Sequence, residues 1–403
     1  MTVVATTIFL LTYALIASRR LSLLPIGRPA GALLGAFAMV AAGVLTPEES
    51  YAAIDGDTIL LLFSMMVVAA YLERAGLFDR LASAVLARAR TPWRLLVAVS
   101  LVSGVGSAFL VNDTVCLFLT PIVVTTCVRA GLPLGPYLLA VATSANIGSA
   151  ATLVGNPQNM IIGSLSDVSF SRFSALCAPA ALVGLAINLA LLAAFFRREL
   201  PPTLASAPRT APARPGLAWI VLAGIIVAFF AGAHLGYAAL AGALAFVVAE
   251  RHDPRETFAR VDWPLLIFFA ALFVVVRGLA STGMVEALWE DLSPLLDLAS
   301  PGGLASFTAL MTAGSNVFSN VPMVLLTGPR LEALGYGELG WALLGFVTTV
   351  AGNLTLLGSV ANIIVAEGAR EHYTLGFMEY LRFGLVSTLL VLAAGVPLIA
   401  WLA

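Results

Sequence analysis

The chain has 403 residues, of which 60% are hydrophobic and only 11% are charged, and its formal net charge at pH 7 is -1. A soluble protein carries about a quarter charged residues, so this composition excludes a molecule covered mainly by a water-facing surface. The balanced charge argues against nucleic acid as a partner.

The order of apolar runs predicts the helices of an all-α polytopic membrane protein. The first half is expected to contain helices at 2–18, 27–46 and 57–75, a re-entrant hairpin at 92–129, a broken helix at 135–164 and a helix at 173–196. The second half is expected to contain helices at 217–233, 235–250 and 262–281, a hairpin at 301–331, a broken helix at 338–367 and a last helix at 375–402. This amounts to about 10–11 membrane spans. Short amphipathic pieces at 77–90 and 284–296 are expected to lie along the membrane interface.

Arginines in alternate loops predict the orientation. The loop after the first helix carries Arg19, Arg20 and Arg28, whereas the next loop carries acidic residues and no arginine. The positive-inside rule therefore places the N-terminus outside and the Arg- and Pro-rich linker 197–216 in the cytoplasm. We expect a multi-pass protein of the bacterial inner (plasma) membrane, whose first hairpin opens to the cytoplasm and whose second opens to the outside.

The two halves, 1–196 and 217–403, carry the same polar landmarks in the same order. The matching positions are Asn112 and Asn320, Pro121 and Pro329, Asn146 and Asn353, and Asn159 and Asn362. Because the predicted topology makes equivalent helices run in opposite directions, the pattern predicts an inverted-repeat transporter. Inverted repeats provide two related shapes of similar energy, which alternating access requires.

An acidic residue lies inside the first hairpin, in the sequence Val111-Asn112-Asp113-Thr114. A carboxylate at the membrane centre costs ~2.5–3.5 kcal/mol on insertion scales. Asp113 must therefore be neutralised by a proton, a cation or a partner, and the Asn and Thr oxygens suit a cation such as Na+. The structural alternative is that Asp113 caps the second arm of the hairpin.

Two segments interrupt predicted membrane helices with Gly, Asn and Pro, at 144–159 and 352–362. Pro157 removes an amide and clashes with the preceding turn. Unwound backbone is tolerated at membrane depth where it lines a cavity, so these breaks predict a polar site. The alternative is a kink that neighbouring helices satisfy. The second hairpin has Ser319 or Asn320 as its expected cap and no acid, and its helix N-terminus favours an anion.

These observations define the candidate site. We expect the substrate to be bound by Asn112, Thr114, Asn146, Ser149, Asn156, Asn159, Ser319, Asn320, Asn353, Thr355, Ser359 and Asn362. We expect the coupling ion, H+ or Na+, at Asp113, Asn112, Asn146, Asn320 and Asn353. No transition-metal spacing, cofactor motif or nucleophile–base pair is visible, so the chain is not expected to be an enzyme. Arg277 is expected to reach the membrane interface, with attraction of an anion as the alternative.

The hairpin and break motifs resemble those of the ion transporter superfamily, from about residue 27 to the end. Within it, the chain is similar to the divalent anion/sodium symporters and the arsenite efflux permeases. The Asn112-Asp113 pair resembles the arsenite permeases, whereas both hairpins depart from the Ser-Asn-Thr of the sodium/dicarboxylate symporters. The resemblance implies a scaffold domain, a moving transport domain and a homodimer.

The sequence therefore favours a secondary active transporter that moves a small anion or oxyanion by alternating access, coupled to H+ or Na+. Two alternatives within transport are an arsenite or antimonite efflux permease and a Na+/H+ antiporter. An ion channel is the alternative from a different class. Flux that saturates and depends on a gradient of the coupling ion would exclude the channel.

Overall fold

The computed structural model describes residues 1–17, 27–77, 80, 91–201, 216–251 and 253–403. Every regular element in these residues is helical. Six of the described helices are long and apolar enough to cross a membrane, and shorter apolar helices accompany them. The prediction of an all-α polytopic membrane protein is therefore confirmed. Most of the amphipathic piece at 77–90 and most of the linker at 197–216 lie outside the described residues.

The helices of the first half follow the predicted order, with one short addition. They are α1 (Thr2–Ala17), α2 (Arg28–Ala41), α3 (Pro47–Ala52), α4 (Gly56–Arg74), α5 (Pro92–Phe109), α6 (Asn112–Ala130), α7 (Leu134–Ser149), α8 (Pro157–Leu165) and α9 (Phe170–Phe196). The additional helix α3 begins with a capping box. The side chains of Thr46 and Glu49 each accept a hydrogen bond from the backbone amide of the other residue. Arms α5 and α6 form the first hairpin.

The second half shows a similar series. Its helices are α10 (Gly216–Phe230), α11 (Leu235–Glu250), α12 (Arg255–Phe258), α13 (Trp263–Ala280), α14 (Met284–Leu292), α15 (Pro301–Phe318), α16 (Asn320–Ala333), α17 (Gly337–Ala351), α18 (Val360–Gly368) and α19 (Phe377–Leu402). A single 3-10 turn, Ser293–Leu295, follows α14. Arms α15 and α16 form the second hairpin.

Equivalent helices in the two halves begin with the same capping residue and are followed by the same residue type. Asp55 caps α4 by accepting from the amide of Thr58, and Asp262 caps α13 by accepting from the amide of Leu265. The two aspartates are 207 residues apart. Gly76 and Gly283 follow these helices at the same spacing, with φ of 68° and 73°. Because such φ values favour glycine, both helices end at a residue suited to reversing the chain.

The helices group into two bundles by their packing. One contains α1, α2, α4, α10, α11 and α13, in which α4 packs on α11 and α13 packs on α2. We call it the scaffold bundle. The other contains α5–α9 and α15–α19, in which α5 packs on α7 and α9 packs on α19. We call it the hairpin bundle, and it holds every residue of the candidate site.

Contacts between helix ends show which ends share a face of the molecule. At one face, the start of α4 meets the end of α8, because the Ser164 hydroxyl donates to Asp55 over 2.7 Å. At the other face, the end of α4 meets the segment before α13 through Arg260 and Glu73, which are 2.7 Å apart. We call these the Asp55 face and the Glu73 face. Which of them is cytoplasmic stays a prediction.

Glycines allow the helices around the site to approach closely. A Cβ added to Gly148 would lie 2.0 Å from the carbonyl oxygen of Gly104, so α7 and α5 are in backbone contact. A Cβ added to Gly184 in α9 would lie 2.8 Å from the side chain of Val391 in α19. Gly184 and Val391 are 207 residues apart, so α9 and α19 cross at equivalent positions.

Candidate functional site

Two interrupted helices provide the backbone of the site. Helix α7 ends at Ser149 and α8 begins at Pro157, while α17 ends at Ala351 and α18 begins at Val360. The residues between them are non-helical, which leaves several carbonyl oxygens without the bonds of a continuous helix. These are the interruptions that Gly, Asn and Pro predict in the sequence.

The same residue type closes both interruptions in the same way. The side-chain amide of Asn159 donates to the carbonyl oxygens of Ser149 and Thr152, at 3.3 and 2.9 Å. The side-chain amide of Asn362 donates to the carbonyl oxygens of Gly352 and Thr355, at 2.8 and 3.1 Å. In both halves the two acceptors lie ten and seven residues before the asparagine. Part of the freed backbone is therefore satisfied within each half, and the two halves use one pattern of hydrogen bonds.

Asn146 lies at the centre of the site and contacts both halves. Its Oδ1 accepts from Asn112 at 2.9 Å and from Ser359 at 3.1 Å. Its Nδ2 donates to Asn353 at 2.8 Å and to Asn362 at 2.9 Å. Both protons and both lone pairs of this amide are thus used. We call these five residues the asparagine network.

The hairpins dock against the interruptions through backbone and hydroxyl contacts. In the first half, the amide of Asn112 donates to the carbonyl oxygen of Gly155 at 2.9 Å, and the Thr152 hydroxyl donates to the carbonyl oxygen of Ala108. In the second half, the Thr355 hydroxyl donates to Oδ1 of Asn316 at 3.2 Å. Both hairpins are therefore anchored by equivalent threonines of the adjacent break.

A second polar group surrounds Thr349 and was not predicted from the sequence. Thr349 accepts from Asn156 at 3.2 Å and from Gln158 at 3.1 Å. Asn156 also donates to the hydroxyl of Ser149 at 3.0 Å and caps α8 through the amide of Asn159. Gln158 lies inside the Asn-Pro-Gln-Asn motif, so the sequence could have predicted it as a residue of the site. A single threonine in an apolar helix gives no such signal.

Several buried polar atoms of the site have no hydrogen-bond partner among the residues that the structure describes. They include Oδ1 of Asn112, Asn159 and Asn320 and the hydroxyls of Ser107 and Ser315. Asn112 and Asn320 are equivalent, and so are the two serines, so each hairpin carries the same unsatisfied pair. An unpaired buried acceptor costs about 1–3 kcal/mol. These oxygens can accept from a bound hydroxyl group or coordinate a small cation.

Asp113 does not cap the second arm of the first hairpin, so that interpretation is wrong. Val111 holds the N-cap position, and Asp113 lies in the first turn of α6, half-buried. Within the described part of the chain, no hydrogen bond or ion pair joins its carboxylate. Among the described residues, Asp262 and Arg28, at the starts of α13 and α2, interact with it electrostatically.

Ser319, Thr114 and Asn320 were predicted to bind the substrate, and no hydrogen bond joins their side chains to the asparagine network in the described part of the chain. Ser319 is exposed and makes no capping bond, so its interpretation as a cap is wrong. Its φ of 79° reverses the chain between the two arms of the second hairpin at a single residue. Thr114 is half-buried, and no hydrogen bond joins its side chain to another described residue.

Other polar residues occupy peripheral positions. Arg277 is exposed near the end of α13. His234 pairs with Asp57 at 3.4 Å on the Asp55 face. The described residues contain no group of three or more His, Cys, Asp or Glu side chains able to hold a metal ion. Cys116, Cys127 and Cys177 are buried and unbridged.

Comparison with known proteins decides the family. A family model described as a citrate transporter matches residues 13–351. The chain belongs to the citrate transporter family. The rice (Oryza sativa subsp. japonica) protein named silicon efflux transporter LSI3 is 35% identical to this citrate transporter family member, and the match covers 93% of each chain. The Dictyostelium discoideum protein named putative transporter arsB is 31% identical over 93% of this chain and 88% of its own.

The fold also matches a solved transporter. The Alcanivorax borkumensis YdaH transporter superposes with a TM-score of 0.63 at 14% identity, covering 99% of this chain and 97% of the other. Together with the helices, these relatives make this member of the citrate transporter family a multi-pass membrane transport protein and not an enzyme. The resemblance to the ion transporter superfamily is confirmed.

Proposed function

We propose that this citrate transporter family member is a secondary active transporter for a small oxyanion or its uncharged oxyacid, of the arsenite or silicate type. The names of two relatives, a silicon efflux transporter and a putative arsB transporter, support this class of substrate. Both substances present several hydroxyl groups on one small centre. Such groups both donate and accept hydrogen bonds, as the side chains of the site do.

The observation that carries the proposal is the chemistry of the asparagine network. Its described hydrogen-bond partners are amides, hydroxyls and backbone carbonyls, and none is cationic. Burying a multiply charged anion without a compensating charge is costly. A citrate ion carries three carboxylates and does not suit these partners, whereas a small polyhydroxyl acid can exchange hydrogen bonds with them.

Asp113 is the proposed coupling residue. A carboxylate at membrane depth with no described ion pair favours binding a proton, and Na+ coordinated with Asn112 is the alternative. A proton on Asp113 would remove the cost of moving this charge with the hairpin bundle. The coupling ion is thereby linked to movement of the residues that bind the substrate.

Alternating access is proposed because the two halves repeat the same pattern of hydrogen bonds. The hydrogen bond that Asn159 donates to Thr152 is repeated by Asn362 and Thr355, and the Thr152 and Thr355 hydroxyls each bond the adjacent hairpin, which supports two equivalent repeats. We propose that an axis in the membrane plane relates them, and that the hairpin bundle moves against the scaffold bundle. The inner membrane, the cytoplasmic linker and a homodimer belong to the same proposal.

The test is transport by the purified full-length protein in proteoliposomes. Arsenite, silicic acid and citrate are compared under an imposed pH gradient, a sodium gradient or none. We expect saturable accumulation of arsenite and silicic acid driven by the pH gradient. Accumulation of citrate alone would contradict the proposed substrate, and accumulation that follows only the sodium gradient would contradict proton coupling.

A further inference from the structure

The asparagine network is asymmetric, although it joins two equivalent halves. Asn146 makes four side-chain hydrogen bonds within the network. Its equivalent, Asn353, makes two, one with Asn146 at 2.8 Å and one to the carbonyl oxygen of Thr143 at 3.0 Å. An amide oxygen can accept two hydrogen bonds. Oδ1 of Asn353 therefore keeps one acceptor position that no described side chain uses.

The residues equivalent to three partners of Asn146 do not form the corresponding bonds with Asn353. They are Asn320, Asn159 and the N-cap of α8, Asn156. Oδ1 of Asn320 and Oδ1 of Asn159 have no hydrogen-bond partner among the described residues, although the two residues are only 8% and 0% exposed. Asn156 donates to Thr349 at 3.2 Å instead. The bonds that surround Asn146 are thus not repeated around Asn353.

A glycine brings the second hairpin next to Asn353. A Cβ added to Gly352 would lie 3.4 Å from Nδ2 of Asn320 and 3.1 Å from the Cβ of Ser359. The side chains of the second hairpin and of the second interruption therefore converge on the α-carbon of Gly352. The equivalent residue, 207 positions earlier, is Ala145. The first half thus carries a methyl group at the position where the second half has bare backbone.

The second half of the site is also the accessible one. Ser319, at the tip of the second hairpin, is exposed, and Leu357 in the second interruption is 57% exposed. The equivalent tip residue of the first hairpin, Val111, is 1% exposed, and every residue from 149 to 162 is buried. A small solute can therefore approach Asn320 past the tip of the second hairpin, whereas the first hairpin covers its own half of the site.

We infer that the oxyacid binds in the second half of the site, at Asn320 and Gly352 beside Asn353, and that the absence of a side chain at position 352 makes room for it. This inference rests on the proposed function. The side chain of Asn320 bonds no described residue, so its amide can donate to an oxygen of the oxyacid and its Oδ1 can accept from a hydroxyl group. The unused acceptor position of Asn353 suits a second hydroxyl group.

Two substitutions at equivalent positions test this assignment by arsenite exchange in proteoliposomes. Gly352→Ala places a methyl group between Asn320 and Ser359, so the KM for arsenite should rise about tenfold or more. Ala145→Gly changes the equivalent position of the first half and should keep the wild-type KM, while its unfolding temperature falls because glycine weakens a helix. An unchanged KM in Gly352→Ala, or equal changes of KM in both variants, would overturn the inference.

Alkylation of single introduced cysteines locates the bound oxyacid without a transport assay. The purified full-length variants are Ser319→Cys, at the tip of the second hairpin, and Leu334→Cys, exposed just after α16. The three native cysteines are 0% exposed and stay in place. Saturating silicic acid should slow the reaction of Ser319→Cys with N-ethylmaleimide several-fold and leave that of Leu334→Cys unchanged.

The two experiments separate the inference from the proposed function. If Gly352→Ala does not fold, the alkylation of Ser319→Cys decides, and an alkylation rate that silicic acid does not change would overturn binding in the second half. Absence of arsenite exchange by the wild type would instead overturn the proposed function. Protection of Ser319→Cys would in that case still report where silicic acid binds.

Discussion

Asn146 and Asn353 occupy equivalent positions 207 residues apart and hydrogen-bond to each other, with 2.8 Å between Nδ2 of Asn146 and Oδ1 of Asn353. A direct bond between equivalent residues lies where the two halves meet. The first hairpin reaches this bond through Asn112, and the second helix interruption reaches it through Ser359 and Asn362. The asparagine network therefore joins polar residues of the two halves directly.

Asn146→Ala should weaken the fold as well as the site. The substitution removes four hydrogen bonds, and at about 0.6–1.7 kcal/mol each in a membrane the loss is roughly 2–7 kcal/mol. Thermal unfolding in detergent should occur several degrees lower, and the KM for arsenite should rise. Asn188→Ala is the control, since Asn188 is buried and makes three bonds, to Thr143, Ser144 and Ser387. It should lose stability with an unchanged KM, and equal KM changes in both variants would contradict the assignment.

Asn320→Ala should change affinity with little change in stability. Asn320 is buried, yet its Oδ1 accepts no hydrogen bond from the described residues. The substitution therefore breaks no hydrogen bond between this oxygen and the described part of the protein. We expect the KM for arsenite to rise about tenfold, equivalent to 1.4 kcal/mol, while the unfolding free energy changes by less than about 1 kcal/mol. An unchanged KM, measured by arsenite exchange in proteoliposomes, would place the substrate away from the second hairpin.

Asp113→Asn should separate exchange from coupling. The amide matches the shape of a protonated carboxyl and cannot release a proton, so the variant should exchange arsenite yet fail to accumulate it from a pH gradient. Both activities are measured in the same proteoliposomes. Asp167→Asn, which changes an exposed acid between α8 and α9, should behave as the wild type. Undiminished gradient-driven uptake by D113N would show that coupling uses another group.

Gly148→Ala should disrupt the packing that positions Asn146. The added Cβ would lie 2.0 Å from the Gly104 carbonyl oxygen, so α5 and α7 must separate, at a cost of about 1–3 kcal/mol or more. Gly224→Ala in α10 meets nothing within 4 Å and should leave stability unchanged or slightly improved. Unfolding temperatures of the two purified variants give the comparison, and equal values would argue against backbone contact between α5 and α7.

Much of the fold follows from local sequence signals. The predicted last helix, 375–402, is observed at Phe377–Leu402, and the predicted first helix, 2–18, at Thr2–Ala17. Long apolar runs bounded by caps, glycines or prolines set such ends. The short helices α3 and α12 were missed because they are polar and do not span the membrane. Even so, Thr46 and Glu49 at α3 form a capping box that the sequence displays.

The site was partly predictable for a similar physical reason. Gly, Asn and Pro inside apolar runs conflict with a continuous helix, so the interruptions were visible in the sequence. Which amides pair depends on packing between segments some 200 residues apart, and no local pattern encodes the bond between Asn156 and Thr349. Ser319 was wrongly taken as a cap because its backbone conformation, and not its side chain, turns the second hairpin.

Counterflow of labelled arsenite in proteoliposomes tests the central claim most directly, because exchange requires no knowledge of the coupling ion. Vesicles loaded with unlabelled arsenite should take up the label transiently and saturably, and excess silicic acid should block this uptake while citrate does not. Uptake that rises linearly with concentration, or that citrate alone abolishes, would contradict a transporter whose asparagine network binds a small oxyacid.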